Sequence, residues 1–186
     1  IEQVHFILGT LGSTMNDEKR WSYIVLNTML GGSMSSMLFQ EAREELGLVY
    51  SIYSYLSAYR DCGALAIYAA STPENVNKTL DVIGKQMMRL KNGDLLDIRL
   101  EDIKAQIKGN ILLSRESTVS RASSMAKNEM YFGRNIEPSE VADAITSVSH
   151  DDVVGLSREL FSGRMSVALL GDVGQVAIDD ALLSPA

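Results

Sequence analysis

This sequence is poor in the side chains that hold metals and form cross-links. Cys62 is its one cysteine in 186 residues, which excludes an internal disulfide and a cysteine-based metal cluster. Beside an apolar stretch, Cys62 is expected to be a small, buried strand residue. Histidine is almost as scarce, with only His5 and His150. Neither has a second histidine at ligand spacing, and neither H-E-x-x-H nor the inverted H-x-x-E-H occurs. No metal is therefore expected in this chain. His5 reads as a strand residue and His150 as an N-cap-like residue at a helix start. No G-x-S-x-G occurs, so a serine nucleophile is unsupported. "GGSMSS" lacks the G-K-[ST] ending with which a P-loop cradles phosphate and magnesium.

Other absences narrow the class further. No apolar run reaches 18 residues, so no transmembrane helix is expected. Lys plus Arg is 17 against 24 for Asp plus Glu, a net charge of −7. That balance argues against nucleic acid or an anionic membrane as a broad partner. An initiator methionine and a signal peptide are also missing, and the chain opens at Ile1 inside an alternating segment. It is read as a piece of a longer, two-domain chain, with the native N-terminus out of view and a cytoplasmic location expected.

What is present suits one domain over 1–186. Hydrophobic residues make up 46% and charged residues 22%, and a chain of this length can bury roughly 70% of its unfolded surface. The ordered core is expected over about 1–175, with a frayed tail over 176–186. In "IEQVHFILGTLG", Val4, Phe6 and Leu8 alternate with His5 and Ile7 as in a strand. A helix capped by Asn16 or Asp17 should run to about Leu30 on a stripe of Trp21, Ile24, Val25 and Thr28. Gly31 and Gly32 end it in a tight turn. A second helix is expected over about Ser35–Leu46, with Met34, Leu38, Ala42 and Leu46 on one face and Gly47 as its left-handed terminus. Strands over Val49–Tyr59 and Gly63–Ala70 should form a hairpin turning at Arg60 and Asp61.

Thr72, Pro73 and Gly93 bracket the next helix. A helical tract over about Leu95–Tyr131 follows, broken at "SRESTVS". Its first stripe is Leu100, Ile103, Ile107 and Ile111, and its second is Val119, Ala122, Ala126 and Met130. Helices near Ser139–Ser147 and His150–Phe161, then a strand in "RMSVALLGDV", close the chain. This order predicts an α+β domain, a mostly antiparallel sheet with helices on one face.

One polar pair carries possible chemistry. The glycine turn at Gly47 should bring Arg43 and Tyr50 to the same end of the sheet. A guanidinium and a phenol converging there can bind a peptide carbonyl or its oxyanion. The residues alone leave a second reading open. Tyr50 shares strand parity with Leu48, Ile52 and Leu56 and fits a core tyrosine, and Arg43 fits a surface arginine paired with an acid.

"LGGSMSSMLFQEAREELGLVYSIYSYL" resembles L-G-G-G-M-S-S-R-L-F-Q-E-x-R-E-x-x-G-L-x-Y-S-x-x-S, from the C-terminal domain of the pitrilysin/insulinase zinc peptidases, the group of the mitochondrial processing peptidase. "QVHFILG" is similar to that family's opening strand. "LEDIKAQIKGNILLSRESTVSRASSMAKNEMYFG" resembles its long helix pair. "PSEVADAITSVSHDDVVGLSRELF" and "MSVALLGDV" resemble its closing helices and strand.

The resemblance implies a domain that lacks zinc and closes a chamber against an N-terminal zinc-binding domain or subunit. Arg43 and Tyr50 would reach the peptide substrate from it, supported by the turns at Gly31, Gly32 and Gly47. Zinc would be the parent enzyme's cofactor, held by another domain. This domain alone would be inactive and could form a homodimer. The alternative within the family is an inactive scaffold. Two residues depart from the pattern: Ser33 replaces its third glycine, and Met37 replaces the arginine before Leu-Phe. The long glycine-rich insertion of the non-catalytic processing-peptidase α subunit is absent.

Overall fold

The computed structural model of the chain describes residues 2–95, 98–174, 176–178 and 180–183. Strands β1 (Val4–Leu11), β2 (Val49–Ala58), β3 (Gly63–Ser71) and β4 (Ser166–Leu170) form one antiparallel sheet in the order β2-β3-β1-β4. Helices are α1 (Arg20–Leu30), α2 (Val76–Asn92), α3 (Leu100–Ser114), α4 (Thr118–Phe132), α5 (Pro138–Ser147), α6 (His150–Phe161) and the single turn α7 (Asp180–Leu183). A π-wound helix covers Phe39–Glu45 and a 3-10 turn covers Pro73–Asn75. The expected α+β architecture is the one found.

Alternation along the strands builds the core. Val4, Phe6 and Leu8 of β1 and Leu65, Ile67 and Ala69 of β3 are buried together on one face. Leu26, Leu30, Ile83, Leu90 and Phe161 from α1, α2 and α6 pack over them. Each such side chain contributes about 1.5–3 kcal/mol on leaving water. Gly93 closes α2 at φ 72° as expected, but Thr72 and Pro73 open a 3-10 turn with no side-chain cap and α2 begins only at Val76. Ser117 caps α4 through the Ser120 N–H.

Several expectations need correction. Helix α1 starts at Arg20, not at a cap from Asn16 or Asp17, because Asp17 Oδ1 accepts the Lys19 N–H one turn earlier. Its buried face is Tyr23, Val25, Leu26, Met29 and Leu30, while Trp21, Ile24 and Thr28 lie at the margin. Leu38 and Ala42 are buried, but Met34 and Leu46 are exposed, since the π winding breaks their four-residue spacing. Cys62 is exposed in the hairpin turn rather than buried in a strand. Partial desolvation and the neighbouring Asp61 hold its thiol above the ordinary range. Helix α4 buries no residue, so Val119 and Met130 form an outer surface rather than a core stripe. His150 is the first residue of α6, and Ser149 is its cap, in a reciprocal box with Asp152.

At the C-terminal end, Leu182 is buried, and the Met165 N–H donates to Leu183 O at 2.8 Å. The tail expected to fray from 176 is therefore packed across Asp180–Leu183, because Leu182 has an apolar seat. Gln175, Asp179 and the last residues of that tail, 184–186, lie outside the described residues, as do Leu96 and Asp97 of the long helical tract and Ile1 of the first strand.

Two glycines of the singled-out stretch are needed for different reasons. Gly31 has a negative φ, −157°, outside the left-handed region, so its requirement is space. A Cβ there would stand 2.6 Å from Ser54 N and 2.8 Å from Ser54 Oγ. Gly47 has open space around it but φ of +59°. Gly31→Ala should therefore cost about 2–3 kcal/mol through overpacking, and Gly47→Ala about 1–2 kcal/mol through the left-handed backbone. Urea melts of both variants check this. Equal, negligible losses would reject the distinction.

Candidate functional site

The site starts from a helix wound wider than α. The Leu46 N–H donates to Glu41 O, five residues back, at 3.0 Å, and the Leu48 N–H reaches Ala42 O at 2.8 Å. Buried Leu38 and Ala42 anchor this helix, and Met37 joins the same core. Such π segments recur at functional sites. Gly47 then turns the chain in the left-handed region into β2.

A β-bulge follows at once. Val49 pairs with Ser71 and Ser51 with Ala70, so Tyr50 is the extra residue between them. A bulge re-aims a side chain, and here it reverses the parity of the strand. Val49 points inward before it; Ile52 and Ser54 point inward after it. Tyr50 is left 73% exposed. The core-tyrosine reading fails for this reason.

Arg43 is exposed on the π helix. Its Nη1 donates to the backbone carbonyl of Tyr50 at 2.5 Å, and its Cζ lies 5.3 Å from the Phe39 ring centroid. The two residues are thus brought together, but the guanidinium holds the Tyr50 backbone and leaves the phenol free. An arginine has five N–H donors, so donors remain beyond the one facing Tyr50 O. No acid pairs with Arg43 in an ion bridge among the described residues.

The departures from the family pattern are accommodated locally. Ser33 needs no positive φ, and its carbonyl accepts the Ser36 N–H at 3.1 Å and the Ser36 hydroxyl at 2.6 Å. Met37 fills core space.

Beyond Tyr50, the sheet face opposite the helices is lined with aromatics. Tyr53, Tyr55 and Tyr59 are 44%, 36% and 57% exposed. Register places Tyr53, Tyr68, Ile7 and Ala168 in one row across all four strands. Tyr53 and Tyr68 stack with centroids 4.9 Å apart, and Tyr68 OH lies 2.8 Å from His5 Nδ1. Sequence reading missed Tyr68, which sits in the otherwise apolar stretch of β3. Its signal was the hairpin register opposite Tyr53. Also missed was a cavity of about 350 Å³ beneath α4.

His5 and His150 have no partners for metal binding. Among the described residues no three His, Cys, Asp or Glu side chains group as a metal would require. The described residues therefore do not fit zinc. No helix among the described residues is long and apolar enough to cross a membrane.

A family model described as "Peptidase M16 inactive domain" matches residues 1–107. The chain is 39% identical over 175 residues to a Bacillus subtilis protein named uncharacterized zinc protease YmxG, covering 94% of this chain and 43% of that protein. It therefore spans less than half the length of the curated relatives it matches. Among solved structures, a conserved protein from Enterococcus faecalis V583 superposes with a TM-score of 0.79 at 20% identity, over 93% of this chain and 40% of that one. A chain of Complex III2 from Candida albicans does so with a TM-score of 0.74 at 16% identity, over 91% and 43%.

Because Arg43 pins the bulge through a single exposed hydrogen bond, Arg43→Ala should cost only about 1 kcal/mol of stability. It should nevertheless speed hydrogen exchange at the amides of Tyr50 and Ser51. Unchanged exchange at both amides would show that Gly47 and the sheet hold the bulge without the guanidinium.

Proposed function

We propose that this chain, which belongs to the peptidase M16 inactive-domain family, is the substrate-contacting, chamber-closing half of a zinc-dependent endopeptidase acting on peptides or unfolded segments. The observation that carries this reading is the presentation of Arg43 and Tyr50 from one backbone-locked corner, with the phenol exposed. Zinc would sit on an N-terminal domain or subunit, as the resemblance to the zinc peptidases implies; among the described residues no group of His, Cys, Asp or Glu could hold it. The chain by itself would be inactive.

The reading gives each local feature a task. The π helix and Gly47 aim the guanidinium, and the bulge aims the phenol. Both groups donate to oxygen. Placed across a chamber from the reacting carbonyl, they would hold it and stabilise the negative charge that develops there. The bare sheet face offers Tyr53, Tyr55 and Tyr68 to an extended peptide, whose side chains repeat on the same period of two. Chamber closure would exclude folded substrates by size. Two such chains could also associate as a homodimer.

A scaffold role is the second reading, favoured by one fact: the same fold occurs in a chain of Complex III2 from Candida albicans. An H-x-x-E-H upstream in the parent gene would support the peptidase, and its absence the scaffold.

The test uses the full-length parent enzyme and steady-state peptide cleavage. Tyr50→Phe should leave the melting temperature nearly unchanged and lower kcat about 10²-fold, the worth of one oxyanion donor at roughly 3 kcal/mol. Arg43→Lys should also slow cleavage, because a point charge cannot reproduce the planar fork. Glu44→Gln, one residue away, should do little. Wild-type rates for Tyr50→Phe and Arg43→Lys would make the pair structural.

A further inference from the structure

The cavity beneath α4 lies on the helix side of the sheet. It reaches Leu56 and Ala58 toward the far end of β2, about 20–26 Å along the strand from Tyr50 at ~3.3 Å per residue. It is therefore separate from the corner that carries Arg43. Helix α4 forms its outer wall and buries none of its own residues elsewhere. Trp21, Ile24, Met125, Phe132, Ile136 and Val141 give it an apolar interior. A volume of about 350 Å³ falls at the small end of the range for small-molecule sites.

Its charged lining has one sign. Arg20, Arg115 and Arg121 face the cavity, and no aspartate or glutamate does, in a chain whose net charge is −7. None of the three arginines is in an ion pair among the described residues. Glu140 feels Arg20, but its carboxylate is taken by two bonds from Arg134, at 2.9 and 2.5 Å.

Arg20 is the central group. Its guanidinium stacks 4.5 Å from the Trp21 ring centroid and 5.4 Å from that of Phe132. Nη1 reaches Asp17 O at 3.3 Å. Nε is buried without a hydrogen-bond partner. That donor is sealed from the cavity, whereas Nη2 has no hydrogen bond among the described residues and is not sealed from water, so Nη2 is the donor left for an acceptor. Three arginines with no acid beside them and an apolar interior describe a particular ligand.

We infer that this cavity binds a small amphiphilic carboxylate of the fatty-acid type, its head on Arg20 between Arg115 and Arg121 and its tail between Trp21, Met125 and Phe132. A neutral chain would leave the three positive charges of the lining without a counter-charge. A cation would meet three arginines.

Trp21 is the only tryptophan in the sequence, so its emission reports on this cavity alone. The experiment titrates the 186-residue chain with decanoate below its micellar range, with 1-decanol and decyltrimethylammonium in parallel. Decanoate should shift Trp21 emission saturably with one site per chain. Decanol should bind about ten-fold or more weaker, and the ammonium should give no saturable change. Arg20→Gln should lose about ten-fold or more in decanoate affinity. Arg121→Glu, at an exposed position, should do the same with an unchanged melting temperature. Ser124→Phe should fill the cavity and abolish the response. If Arg20→Gln fails to fold, the other two variants decide. An unmoved Trp21 emission, equal binding of decanol, or full affinity in Arg121→Glu and Ser124→Phe would each overturn the assignment.

Discussion

The bond from the Ser54 N–H to Gly31 O, 3.0 Å long, is the contact on which the rest of the site depends. It joins the glycine turn after α1 to the middle of β2. The Ser54 hydroxyl adds a bond to Asn27 O at 3.1 Å. β2 is the edge strand of the sheet, and an open edge invites pairing with other chains. The turn caps that edge at Ser54. It also fixes which face of β2 looks inward: with Ser54 buried, Tyr53 and Tyr55 must face outward. Only a glycine leaves room at this spacing, since a Cβ at position 31 would overlap the Ser54 backbone.

From that anchor the geometry runs backwards along the chain. β2 is held with Ile52 and Ser54 inward, yet Val49 is also inward and packs in the core. Ile52 lies three positions after Val49, an odd step, and strict alternation cannot bury both. The bulge at Tyr50 resolves the conflict, and the side chain displaced by it is the phenol. Tyr50 is exposed because two core residues on either side of it compete for the same face. Its position is a consequence of packing, and packing is far stiffer than a surface loop.

This explains which parts of the molecule were legible in its sequence. Period-two alternation found β1, an apolar stretch across a polar turn from β2 found β3, and glycines with positive φ marked the ends of α2 and of the π helix. Those signals are local, carried by residues a few positions apart. Tyr50's exposure was not local. It depends on Ser71 and Ala70 across the hairpin, so parity with Ile52 pointed the wrong way. The stripe Met34, Leu38, Ala42 and Leu46 failed similarly, because a four-residue period assumes α winding and the Leu46 N–H closes on Glu41 instead. In α4 the period was real and the inference of burial was not. Periodicity shows that one face of a helix is apolar, and only tertiary structure shows whether anything covers it.

The sheet therefore separates two kinds of chemistry. Its helix side carries the core and, beneath α4, a cavity with arginines. Its bare side carries stacked tyrosines and ends at the corner of Arg43 and Tyr50. Neither member of that pair contributes much to stability: the phenol is solvated, and the guanidinium makes one exposed bond to a backbone carbonyl. What holds them in place is the buried set around them, Leu38, Ala42, Val49 and Ile52, together with the Gly31–Ser54 contact. On the proposed function, donors whose backbone is set by a core they do not themselves stabilise would need little reorganisation when charge develops. The same separation leaves Arg43 and Tyr50 free to be substituted while the fold stays intact. On the proposed function, a loss of activity and a loss of folding in this corner would be physically different events.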